Sequence, residues 1–370
     1  MPSILDSIKG KINTGSRISR QEGLYLLQEV ELLELGSLAQ IIRYRHNPAP
    51  TVTFVIDTNL NYTNVCDAYC TFCAFYRTEK DADAYTFTVE QVMDQLGQAL
   101  EKGVTTVLLQ GGLNAKIPME YYEELVREAG RLYPELHAHF YSAPEVQKMS
   151  QISGLSIPEV LQRLKAAGLK SIPGGGSEIL SDRVKRRVSR LFPKGKTADW
   201  LEVHREAHKL GIATTATMMY GHLETDEEII EHLDHVRMLQ DEAPGFTAFI
   251  PWSFKKSNTA LDKLVKEECG PNRYLRIIAL SRLMLDNIPH IQASWFSEGK
   301  KTGQVALHFG GDDFGGTLFD ENVMQEAGFY NRTTLDEVLD IIREAGFTPA
   351  QRTTLYEIVR SFPEPTSVSR

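Results

Sequence analysis

The sequence predicts a parallel (β/α)8 barrel of the TIM type with helical extensions at both ends. Three observations point there. Short β-branched runs alternate with capped amphipathic stretches from Thr51 onward. Glycine stops recur after the helical stretches, at Gly103, Gly168 and Gly211, where a left-handed residue ends a helix cheaply. Eight strand candidates emerge, and alternating strands and helices build parallel sheets. A six-stranded partial barrel is the rival, because periodicity does not settle closure. The 370 residues suffice for one large α/β barrel.

Residues 1–50 form an N-terminal helical extension, with the capping box Ser19-Arg20-Gln21-Glu22 opening an apolar-periodic stretch from Leu24 to Leu38. The barrel is assigned to 51–310. Thr51–Asp57 is its first strand. A helix capped by Thr88-Val89-Glu90-Gln91 follows and stops at Gly103, and Val104–Leu109 is the second strand. Met119–Arg131 is a helix and Leu136–Tyr141 a strand. The box Ser156-Ile157-Pro158-Glu159 opens a helix that ends at Gly168, and Leu169–Ile172 is a short strand. Helix Ala198–Leu210 precedes strand Ile212–Met218. The box Thr225-Asp226-Glu227-Glu228 opens the next helix, before strand Phe246–Ile250. After helix Asn272–Asp286, Ile291–Phe296 and Gln304–Phe309 are expected as the last two strands. Residues 311–370 are expected to be a C-terminal helical region packed on the barrel, with helices over 321–361.

The net charge of −9 and pI near 5.7 argue against a nucleic-acid partner, which calls for a basic surface. No apolar run approaches the ~18–20 residues of a membrane span. The first residues lack an apolar signal core, so a cytoplasmic setting is expected.

Three of the four cysteines fall in one eight-residue window, at Cys66, Cys70 and Cys73. Three soft thiolates select zinc, copper(I) or an iron–sulfur cluster. A closed structural zinc site wants a fourth ligand, which only a distant His could supply. Three ligands on a four-iron cluster would leave one iron open for chemistry. Cys269 stands alone in a turn-like Glu267-Glu268-Cys269-Gly270-Pro271 and is expected to be an ordinary free thiol.

The spacing Cys66-x3-Cys70-x2-Cys73, with Phe72 before the last cysteine, resembles the signature of the radical S-adenosylmethionine (SAM) superfamily. The resemblance implies a 4Fe-4S cluster on Cys66, Cys70 and Cys73, with SAM on the open iron. It further implies SAM contacts near Tyr76, at Gly111 and Gly112, at Ser142, and at Ser177 and Glu178 in Gly174-Gly175-Gly176-Ser177-Glu178. Where the superfamily often has Gly-Gly-Glu, this chain has Gly111-Gly112-Leu113. The stretch Thr217–Glu224 resembles a strand edge that pairs with adenine, at Gly221, with Thr217 in place of the first glycine. His222 and Glu224 in that stretch are the expected proton acceptors. Arg183 opens a run with seven basic residues, ending at Lys196, and is a candidate for a substrate carboxylate; a charge run is otherwise a solvated face.

Longer segments sharpen the resemblance. Asn61–Cys66, Cys73–Arg77, Ile172–Leu180, Tyr220–Thr225, Phe246–Trp252 and Ala306–Gly310 are similar to the menaquinone futalosine-pathway branch. Within it the Ile250-Pro251-Trp252 and Ser294-Trp295 segments look most like the cyclic dehypoxanthine futalosine synthases, with the aminofutalosine synthases as the alternative. The resemblance implies hydrogen abstraction from ribose C4′ of dehypoxanthine futalosine, addition to the benzoate ring, and loss of an electron and a proton. It also implies a flavodoxin or ferredoxin as electron donor.

Overall fold

The computed structural model describes residues 3–189, 194–317, 323–328, 330 and 332–363. Eleven strands occur among them: β1 (Thr51–Val55), β2 (Asp57–Leu60), β3 (Thr106–Leu109), β4 (His137–Phe140), β5 (Ser171–Ile172), β6 (Ala213–Tyr220), β7 (Phe246–Ser253), β8 (His290–Ile291), β9 (Asp313–Gly316), β10 (Thr348–Arg352) and β11 (Ile358–Ser361). Strands β2 to β8 pair in chain order as one parallel sheet. β1 leads into β2 across Ile56, and β9 lies parallel beside β1. A parallel bridge, Gln292 to Asp313, joins the end of β8 to β9. Backbone hydrogen bonds from Asp312 to Ile291 (3.1 Å) and from Ala293 to Asp313 (2.7 Å) reinforce it. The pairing therefore runs all the way round, with β1/β2 and β3 to β9 as the eight staves of a parallel α/β barrel.

The expected capping boxes at Ser19, Thr88, Ser156 and Thr225 are formed. Gly103, Gly168 and Gly211 take the left-handed backbone that stops their helices. Helices Ile4–Thr14, Arg20–Glu29 and Leu32–His46 make the N-terminal layer. They share one hydrophobic core with the barrel, running from Ile8 to Phe347.

Three expected elements differ. Gln304–Phe309 is not a strand: helix Lys300–Ala306 and a 3-10 turn Leu307–Phe309 occupy it. Its apolar side packs inward, and the Phe309 ring lies where a Cβ on Gly36 would stand, 2.7 Å away. The true last stave is Asp-Phe-Gly-Gly, which reads as a turn. Gly316 is needed there because a Cβ would fall 2.0 Å from the Asp57 carboxylate. Of Ile291–Phe296 only Ile291 is strand, as the second residue of β8, before helix Trp295–Glu298 begins. The C-terminal segment, expected to be helical, holds helix Leu335–Glu344 together with β9, β10 and β11; part of it lies outside the described residues. Helix Ala143–Ser153, with its own capping box, was not anticipated.

β10 runs parallel to β1, from Thr51 opposite Thr348. The chain then crosses the N-terminal end of the barrel. Thr354 Oγ1 meets Thr106 Oγ1 at 2.7 Å, and Tyr356 stacks on His290 with ring centroids 3.8 Å apart. This crossing plugs the barrel floor. Among the described residues, no helix is long and apolar enough to cross a membrane.

Candidate active site

A cavity of about 360 Å³ occupies the barrel interior. Parallel barrels place ligands at the C-terminal ends of their strands, and this cavity opens there, among the loops after β2, β3, β4 and β5. Cys66, Cys73, Gly111, Gly112, Ser142 and Glu178 line that upper part. Deeper down, Asp57, Leu108, His139, Arg352 and Tyr356 line it, with Ile250 and Trp252 on one wall.

The cysteine loop is held by its own backbone. Cys66 N–H donates to Arg77 O (3.0 Å), Arg77 N–H to Asn64 O (2.8 Å), and Cys73 N–H to Cys70 O (3.2 Å). The Arg77 guanidinium gathers three loop carbonyls, of Ala74, Phe75 and Tyr76, at 2.9–3.1 Å. Asp83 holds it from outside at 2.7 Å. Burial pushes the Cys70 thiol up to about 12, against the pull of the Lys194 ammonium. The Cys73 thiol is also raised by burial, while Lys194 and the backbone N–H groups of Tyr76 and Phe75 favour its thiolate. The Lys194 ammonium is favoured, against its own burial, by the cysteines in their thiolate form and by the Glu178 carboxylate, 3.7 Å away.

A single tetrahedral ion would draw its sulfurs to about 3.8 Å of one another, given Zn–S near 2.3 Å. Among the described residues, no group of three or more His, Cys, Asp or Glu side chains meets the requirement of such an ion. A four-iron cluster takes each thiolate on a different iron. Three soft donors, an adjacent ammonium and two N–H groups at one sulfur fit that cluster.

Of the residues expected to contact SAM, Tyr76, Gly111, Gly112, Ser142 and Glu178 line the cavity. The two glycines do more than admit a ligand. A Cβ on Gly111 would stand 2.5 Å from the Tyr62 ring, and one on Gly112 would stand 2.2 Å from the backbone oxygen of Val65. The turn after β3 is thus packed directly onto the cysteine loop. Gly112→Ala must push the loop aside, at a cost of about 2 kcal/mol or more. The expected result is a lower denaturation midpoint and weaker cluster retention, measured as iron per chain after desalting.

Five other expected residues are engaged elsewhere. Ser177 is buried off the cavity, its Oγ accepting from Lys185 Nζ at 2.9 Å. Gly221 faces Cys269, whose Sγ lies 2.8 Å from where a Cβ would be. Glu224 accepts the backbone N–H groups of Gly221 (2.5 Å) and His222 (3.0 Å), so it caps a turn. His222 is buried behind that turn, with Nε2 3.1 Å from Met219 O and Nδ1 3.3 Å from Glu224. Neither side chain lines the cavity, so the expected proton acceptors are not placed for that role. Arg183 lies at the surface and forks onto Glu228 at 2.8 and 2.5 Å, also donating to Leu223 O. A substrate carboxylate finds no free fork there. Within the basic run, residues 190–193 lie outside the described residues, while Lys194 reaches the cavity.

Glu145 was not anticipated. It is fully buried in the cavity wall and accepts four donors: Tyr62 Oη (2.6 Å), Gly111 N–H (3.0 Å), and Ser142 N–H (2.7 Å) and Oγ (2.6 Å). Burial raises its carboxyl above the usual range, and these donors oppose the rise. One side chain therefore ties the glycine turn to the Ser142 turn. The pattern Ser142-Ala143-Pro144-Glu145 is a capping box, which was the available signal.

Comparison with known proteins agrees with this geometry. The family described as radical SAM superfamily matches residues 60–236, and the CofH/MqnC C-terminal region matches residues 243–366. The cyclic dehypoxanthine futalosine synthase of Halalkalibacterium halodurans is 41% identical over 358 residues, covering 97% of this chain and 96% of that one. The aminodeoxyfutalosine synthase of Streptomyces coelicolor is 35% identical over 376 residues, covering 98% and 96%. Among solved structures, the [FeFe]-hydrogenase maturase HydG superposes with a TM-score of 0.76 at 16% identity, covering 96% of this chain and 78% of that one. That likeness shows the fold.

Proposed function

The chain belongs to the radical SAM superfamily, in the group that carries the CofH/MqnC C-terminal region, and from that premise we propose that it cyclises dehypoxanthine futalosine in menaquinone biosynthesis. The observation that carries the substrate is the 41% identity with a cyclic dehypoxanthine futalosine synthase across 97% of the chain. The geometry supports the same reading, since one cavity holds the cysteine loop at its mouth and a sealed pocket beneath.

Cys66, Cys70 and Cys73 would hold a 4Fe-4S cluster, and Tyr76, Gly111, Gly112, Ser142 and Glu178 would border SAM. When bound, these cofactors supply a 5′-deoxyadenosyl radical. The remaining work belongs to the chain. The barrel wall holds the ribose beneath the cysteine loop, so that C4′ meets a fixed neighbour rather than a diffusing one. Ile250 and Trp252 on β7, with Leu108 across the barrel on β3, offer apolar surfaces against which the benzoate arm folds over the ribose. The floor plug of Thr354 and Tyr356 keeps water and stray hydrogen donors from entering below. The electron donor is proposed to be a flavodoxin or ferredoxin in a reducing, cytoplasmic setting. The acidic net charge of −9 gives no basis for a nucleic-acid partner.

Anaerobic incubation of the reconstituted protein with SAM, a reductant and dehypoxanthine futalosine tests the reading by mass spectrometry. A product two hydrogens lighter, with free 5′-deoxyadenosine, is expected. Cleavage of SAM with the substrate returned unchanged would overturn the substrate assignment, and an enolpyruvyl benzoate would be tried next.

A further inference from the structure

We propose that His139 is the proton acceptor of the cyclisation, taking the ring hydrogen onto Nε2; the assignment rests on the function proposed above. The reaction needs such a group. After the C4′ radical adds to the aromatic ring, a new C–C bond exists and the attacked ring carbon still carries its hydrogen. Aromaticity returns when that C–H bond breaks. Its electron pair stays in the ring, one electron leaves to a one-electron iron–sulfur or flavin acceptor, and the proton passes to a base.

His139 is placed for this by register. Asn59 pairs with Leu108, Leu108 with His139 and His139 with Ser171, so these side chains share the inner face of the barrel. His139 is only 5% exposed and lines the cavity below the Ser142 turn. Its Nδ1 lies 2.6 Å from Ser171 Oγ, which also lies 2.8 Å from His137 Nε2. With Nδ1–H donating to Ser171 and Ser171 donating to His137, the His139 ring is fixed and Nε2 keeps its lone pair. Nε2 has no hydrogen-bond partner among the described residues.

Of the other acidic and imidazole groups named above, Asp57 lines the same depth but faces the Arg352 charge, and four are committed elsewhere. Glu145 has its four donors, Glu178 sits beside Lys194 at the cysteine end, and His222 and Glu224 form a turn outside it. Burial keeps the His139 imidazole neutral, with its pKa lowered to about 3. A weak base suffices, because the ring after one-electron loss is a much stronger acid than an imidazolium.

The test uses reconstituted holoenzyme and substrate deuterated at C4′. His139→Gln and His139→Phe are expected to transfer deuterium to 5′-deoxyadenosine within about threefold of the wild-type rate. The cyclised product should fall about 100-fold, the size of a lost general base, and an organic radical should accumulate by electron paramagnetic resonance. Ser171→Ala, which frees the ring to rotate, should show the same split more weakly. SAM affinity and thermal midpoint are measured alongside, and His139→Gln serves if the phenylalanine variant does not fold. Equal loss of deuterium transfer and product would overturn the assignment and make His139 a substrate-positioning residue. Undiminished product in His139→Gln would overturn it outright. A wild-type enzyme that transfers no deuterium from this substrate would instead overturn the proposed function, and the base assignment with it.

Discussion

Alanine at Cys66, Cys70 or Cys73 is expected to leave a folded, nearly colourless protein that cleaves no SAM above background. Each thiolate would hold one iron of a four-iron cluster, so the loss of any one would uncover a second iron. The fold should survive. The loop is fastened by the Cys66–Arg77 and Arg77–Asn64 backbone bonds and by the Arg77 guanidinium on three carbonyls, none of which uses a sulfur. Iron content and visible absorbance of the anaerobically reconstituted variants read the cluster, and circular dichroism reads the fold. Cys269→Ala is the control. That thiol is half-buried against Gly221, outside the cavity lining, so activity should stay within about twofold, as for substitutions that remove no buried partner. Full cluster content in any of the three alanine variants would remove that cysteine from the ligand set.

The barrel was legible because its local signals agree with its tertiary order. Capping boxes at Thr88, Ser156 and Thr225 and glycine stops at Gly103, Gly168 and Gly211 mark most of the βα units that close it. The reading failed where long-range packing overrides local pattern. Gln304–Phe309 alternates like a strand, yet the helix it forms lets Phe309 settle against Gly36, more than two hundred residues earlier. Asp313–Gly316 looks like a turn, yet two glycines are what a stave pressed against Asp57 and Gln292 requires.

The site divides in the same way. Cysteine spacing is local and survives in the sequence unaltered. Residues that follow strand ends, such as Ser142 and Glu178, could be placed once the strands were. Strand position does not reveal what a side chain already holds, and this misled the reading of His222, Glu224 and Arg183. Glu224 is satisfied by its own turn and Arg183 by Glu228, on helix Asp226–Glu242. His139 was hidden for the opposite reason. An alternating His137-Ala138-His139-Phe140 looks like any half-buried strand until the register shows which face points inward.

Asp312→Ala is expected to destabilise the protein by about 3–5 kcal/mol, the usual cost of stripping one partner from a buried ion pair. Arg282 and Asp312 are both buried, with Arg282 Nη2 donating to Oδ1 at 2.5 Å. The same carboxylate accepts the Ile291 N–H (2.8 Å), faces His290 Nδ1 (2.7 Å) and receives the Asn47 amide. It therefore fastens the end of the N-terminal helical layer and helix Pro271–Met284 to β8, at the seam where the barrel closes. Asp312→Asn keeps the shape and part of the hydrogen bonding, so its loss should be smaller. Burial works to raise the Asp312 carboxyl, but Arg282 and His290 prevail and hold it below its ordinary value near 3.8. A folded pKa below the unfolded one means that the unfolded chain binds the proton more readily. The contribution is thus complete above about 3.8 and declines as pH falls through the folded value. Urea midpoints of wild type and Asp312→Ala should differ by a constant amount at neutral pH and draw together in acid. Because Asp312 does not line the cavity, the variant should turn over normally wherever it remains folded, and a loss of turnover in folded protein would mean that the seam also shapes the substrate pocket.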